Sequence, residues 1–214
     1  MAVQPSANRA GSTARPAASF ERFAGLCAII TGIVGLLYAI SFILLHNMFL
    51  SALFLMLGGL FSLAALTAVY QRLKEVHAAF ALLAFLLSAA GALGTFIHGG
   101  YDLANTLHPS AISITQANLP NAIDPRGLLA FGVAGLGLFF IAWLIGQGRL
   151  FPQALGYLGY VAAVLLIVLY LGRLIILDPT NLLIVLPALL SGFVANPVWY
   201  IWLGIVLWRG RKID

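Results

Sequence analysis

Six long apolar runs, 23–45, 49–69, 78–101, 127–146, 155–177 and 181–208, dominate the chain. Each reaches the roughly 20 residues that a helix needs to cross a bilayer. Barrel strands would be about half as long and would alternate in polarity. These runs are continuous, and so predict an all-α fold, a polytopic membrane bundle of six transmembrane helices. The breaks between them are polar: HNM (46–48), YQRLKEVH (70–77), a long segment over 102–126, QGRLFPQ (147–153) and DPTN (178–181).

Residues 1–20 are small, polar and Pro-containing, the composition of a disordered tail. The run at 23–45 is too long for the apolar part of a signal peptide and lacks a small-residue cleavage pattern after it, so it is expected to stay as the first span. A short basic tail, 209–214, closes the chain.

Composition sharpens this picture. The 214 residues are 62% hydrophobic and 8% charged, against about a quarter charged in a soluble domain. The principal partner is therefore the lipid bilayer. The net charge of +5 does not indicate nucleic acid, because the basic residues sit at span ends and no basic run is interleaved with aromatics.

Their placement predicts orientation. With the N-terminus inside, Arg9, Arg15, Arg22, Arg72, Lys74, Arg149, Arg209, Arg211 and Lys212 fall on the inner side, and only Arg126 and Arg173 on the outer. The positive-inside rule then places both termini in the cytoplasm. Small residues recur at helical spacing, as in Ala28/Gly32, Ala90/Gly94, Gly91/Thr95 and Ala130/Ala134. These let helices approach closely, and packing within one bundle is the simpler reading than a dimer face.

Polar residues near lipid are the functional candidates. His98 and Asp102 are one turn apart and share a helix face. Asp102 closes a helix, where its charge opposes the macrodipole and calls for a cationic partner, Arg173 or Arg126. His98, Asp102 and Arg173 form the candidate cluster at the outer face, with His46, His108 and Asn196 as weaker candidates. Interfacial hydrogen bonding is the plain reading of this group. A proton or ion site, a metal site using His46, His98, Asp102 and His108, or a His46/His98 haem pair are the sharper ones. No HxxxH, HExxH or His/Cys motif is present and Cys27 stands alone, so no cofactor and no metal are expected.

Asp124-Pro125 and Asp178-Pro179 each have the pattern of a helix start, with Asp as cap and Pro at the first helical position. Pro187 and Asn196-Pro197 predict a kinked final span. The segment 102–126 is long enough to cover the outer mouth of the bundle.

The stretch ERFAGL at the start of the first span and the closing NPVWYIWLGIVLWRG resemble a group of uncharacterised bacterial six-helix integral membrane proteins that share a domain of unknown function. The resemblance implies a bacterial inner (plasma) membrane location and transfers no activity. Three functional readings follow. The first is a non-enzymatic regulatory, sensory or accessory subunit with a membrane-protein partner. The second is a small transporter or proton-coupled carrier using Arg173, Asp102, His98 and Asn196. The third is a membrane enzyme or metal protein built on His46, His98, Asp102 and His108.

Overall fold

A computed structural model describes residues 14–109, 127–176, 178 and 180–210, with side chains from residue 19 onward. Six helices are long and apolar enough to cross a membrane: α1 (Ser19–Leu44), α2 (Met48–Leu73), α3 (Ala78–Leu107), α4 (Leu128–Gln147), α5 (Gln153–Ile175) and α6 (Leu182–Trp208). Large apolar side chains such as Leu86, Ile97, Val161 and Leu186 are exposed on the outside. That arrangement suits a bundle whose solvent is lipid.

Consecutive helices pack in sequence, and α6 returns to pack along α1, so the six form a closed ring. The glycine neighbours show that each pair runs antiparallel. Gly59 lies against Ala92 and Phe96, while Gly99, later on α3, lies against Ala52 and Met56. Gly91 and Gly94 meet Ala134 and Leu129. At the α1–α6 contact Gly25 and Gly204 each approach the other's carbonyl oxygen. The small residues thus serve packing within the bundle, where a Cβ would strike the neighbouring backbone. Six alternating helices bring the N- and C-terminal ends of the bundle to one face.

The helix ends depart from the sequence reading in three places. The first helix begins at Ala14, within the segment read as a tail. The third continues through Gly99-Gly100 to Leu107, because those glycines accommodate the α2 backbone and Met56 rather than end the helix. The final span is capped by Asn181, whose Oδ1 accepts from the Leu183 amide at 3.0 Å. Asp178 is therefore not the cap. Its Oδ1 accepts from the Thr180 amide at 2.9 Å and the Thr180 hydroxyl at 2.7 Å, forming the turn that precedes α6. The Asp124-Pro125 start and most of the 102–126 segment lie outside the described residues.

At the terminal face the ring is filled. Leu73, Leu144, Phe151, Leu155 and Leu207 are almost fully buried there. Arg72 is buried among them. Its Nε and Nη2 donate to the two carboxylate oxygens of Glu21 at 2.9 and 3.0 Å, and its guanidinium lies 5.2 Å from the centre of the Phe151 ring. In the sequence Arg72 is one of the basic residues at span ends. The fold instead uses it to tie α2 to α1.

Candidate functional site

The centre of the ring is not filled. A cavity of about 440 Å³ is lined by residues from all six helices, within the size range of small-molecule sites. On α2 its lining runs from Phe54 to Leu66, about 18 Å along the helix axis at 1.5 Å per residue. On α1 and α6 the lining likewise runs from Thr31 to Ile43 and from Ile184 to Tyr200, so the cavity extends as a slot along the bundle axis. Most of its wall is apolar, and the floor includes Trp199, whose Nε1 donates to the Leu155 carbonyl at 3.2 Å.

Three irregular helical turns border this slot. Ile40–Leu44, Leu128–Val133 and Ser191–Ala195 are π-helical, and each contributes lining residues: Phe42 and Ile43, Ala130 and Phe131, Ser191 and Gly192. In each turn a backbone N–H reaches back five residues, as from Leu45 to Ile40, Ala134 to Leu129 and Asn196 to Ser191. The wider turn sacrifices regular geometry and is frequent at functional sites. In α6 the cause is local, since Pro197 has no N–H to continue the regular ladder.

Asn196 sits at this break near the middle of α6. Its Nδ2 donates to Ser191 Oγ at 2.8 Å, and both residues line the slot. Other hydroxyls in the wall are occupied by their own helices: Thr31 bonds the Cys27 carbonyl, Ser62 that of Gly59 and Thr95 that of Gly91. Tyr200 lies within hydrogen-bonding reach of Ser62, linking α6 to α2. Ser88 is 5% exposed and packs against Gly137. Its Oγ has no hydrogen-bond partner among the described residues.

Arg173 lies two residues before the end of α5 and lines the end of the slot away from the termini, near Tyr38, Phe42 and Ile184. Its side chain is exposed there, and it forms no ion pair among the described residues. The expected Asp102–Arg173 pair is therefore not made. Asp102 instead pairs with His98, Nε2 to Oδ2 at 3.3 Å across one turn of α3. Neither residue of that pair lines the slot. Tyr38 lies within electrostatic reach of both Arg173 and Asp102, so the two charges share one end of the bundle without contact.

The weaker candidates separate further. His46 is exposed in the α1–α2 turn with φ of 50°, a left-handed conformation uncommon for histidine. His108 is exposed and caps α3 through its backbone. Among the described residues no three His, Cys, Asp or Glu side chains converge as metal ligands, so His46, His98, Asp102 and His108 do not assemble the site that the third reading requires. Arg126, the other proposed partner of Asp102, lies outside the described residues.

The cavity is what the sequence reading missed. Thr31, Ser62, Ser88, Thr95 and Ser191 are single hydroxyls spread over four of the apolar runs, and only the closed ring places them on one surface. Arg173 and Asn196 were singled out, and the slot joins them. No protein-family model, no curated protein and no solved structure matches the chain.

Proposed function

We propose that the chain is a non-enzymatic multi-pass membrane protein that holds a small, mainly apolar molecule within its six-helix ring, as a sensory or accessory subunit would. The supporting observation is the slot itself, lined by every helix and bordered by all three π-helical turns. Among the described residues its wall offers hydroxyls, one amide and one cation, and no acid–base pair or nucleophile with an activating partner. Such a surface recognises a ligand and has nothing with which to transform it.

The setting is the inner (plasma) membrane of a bacterium, as in the six-helix proteins that the chain resembles, with both termini cytoplasmic. The distribution of Lys and Arg along the sequence supports that orientation, nine assigned to the inner side against two to the outer by the order of the spans. A carrier is the second reading, favoured by the continuity of the slot from Arg173 to Asn196 and by the broken helix at Ser191–Ala195.

Reconstitution separates the two. Purified protein in liposomes is expected to bind its ligand, seen as a raised melting temperature, without moving it across the bilayer. Saturable flux of the same ligand would replace the sensory reading with the carrier, and absence of any stabilising small molecule across apolar, anionic and neutral compounds would contradict both. A C-terminal green fluorescent protein fusion should fluoresce and a C-terminal alkaline phosphatase fusion should be inactive. The reverse pattern would invert the orientation.

A further inference from the structure

We infer that the slot takes a single-chain anionic amphiphile, with its charged head at Arg173 and its apolar chain running toward Trp199. This rests on the reading of the slot as a binding site and specifies what binds there.

The shape comes first. The lining extends over about 18 Å of α2, and on α6 it runs from Ile184 to Tyr200, so the space of about 440 Å³ follows the bundle axis. Leu55, Leu66, Ile141 and Leu166 make its walls. An extended hydrocarbon chain suits such a wall because it can fill the apolar space with close van der Waals contacts along its length.

Charge placement then fixes the direction. Among the described residues, Arg173 is the sole cationic side chain in the lining, and none of the lining residues is a carboxylate. It stands at the end remote from the termini, whereas the polar groups deeper in the slot are neutral. Among the described residues it makes no ion pair. A guanidinium offers a planar set of donors suited to a carboxylate or a phosphate, and at the edge of a low-dielectric cavity that pairing is stronger than in water. A cationic or uncharged head gains nothing comparable. The head is thus a carboxylate of a free fatty acid or the phosphate of a lysolipid.

Binding of tritiated palmitate to the purified full chain in an uncharged detergent tests this. Wild type should bind saturably, and Arg173→Gln should lose at least about tenfold in affinity while Arg173→Lys retains most of it. Unlabelled hexadecanol should compete poorly. Stronger competition by lysophosphatidic acid than by palmitate identifies the phosphate head, and the opposite order the carboxylate, either being the chemistry inferred. Gly35→Trp should abolish binding, because Gly35 faces the slot with nothing within 4 Å of an added Cβ. Equal binding by wild type and Arg173→Gln, or equal competition by hexadecanol and palmitate, overturns the anionic head. If Gly35→Trp still blocks in that case, the binding site stands. Binding that persists in Gly35→Trp, or no palmitate binding at all, overturns the inference, and persistence in Gly35→Trp places binding outside the slot as well.

Discussion

Glu21 and Arg72, at opposite ends of the α1–α2 hairpin sequence, meet through two parallel hydrogen bonds of 2.9 and 3.0 Å. The arginine side chain is 2% exposed and the glutamate 21%. Removing one member of such a pair leaves a buried charge without its counter-charge, at a cost of about 3 kcal/mol or more. Glu21→Gln should therefore lower the thermal midpoint in detergent markedly. The double variant Glu21→Leu/Arg72→Met should be less destabilised than Glu21→Gln alone. A double variant as unstable as the sum of both single ones would show that the pair is not the unit of stability.

The contrast between Gly59 and Gly35 tests the close approach of the helices. An added Cβ at Gly59 would lie 2.5 Å from the Phe96 nitrogen and 2.7 Å from the Ala92 oxygen, both backbone atoms. At Gly35 it meets nothing within 4 Å. Gly59→Ala should cost about 1–3 kcal/mol through overpacking, whereas Gly35→Ala should be neutral or stabilise by up to about 1 kcal/mol through helix propensity. Thermal unfolding of the two variants side by side checks this. Equal effects would contradict the ring packing.

At the α5–α6 turn the hydroxyl and then the amide of Thr180 hold the Asp178 carboxyl below its ordinary range. A depressed carboxyl contributes stability above its unfolded pKa, and loses it as pH falls through the folded value. The difference in melting temperature between wild type and Asp178→Ala should be steady near neutrality and shrink once pH drops below about 3.9. A difference that is unchanged at lower pH would show that the ionised carboxylate is not what holds the turn.

The length of the apolar runs made the fold legible, because a bilayer fixes both the length and the composition of a spanning helix. All six runs became spans, shifted by only a few residues at their ends. The third helix extends past its apolar run to Leu107, since apolar character marks the part of a helix that meets lipid and not its last turns. The site was legible only in fragments. Arg173 and Asn196 stood out as polar residues in apolar surroundings, and both line the slot. His98 and Asp102 stood out for the same reason and pair with each other on α3 instead. Glu21 drew no notice because a carboxylate near a chain end is ordinary, and its partner lies 51 residues away. A π-helical turn leaves no periodic mark, and the closure of α6 on α1 is a long-range event that no local pattern reports.

The central claim is that the slot admits a small molecule, and cysteine accessibility measures it directly. Cys27 is buried and is the only cysteine, so a Cys27→Ala background is silent. In it, Thr95→Cys places a thiol in the slot wall, while Ala65→Cys places one in the fully buried core outside it. A small thiol reagent should modify Thr95→Cys many times faster than Ala65→Cys, and adding Gly35→Trp should suppress that reaction. Thr95→Cys reacting as slowly as Ala65→Cys, or reacting undiminished beside Gly35→Trp, would contradict the account.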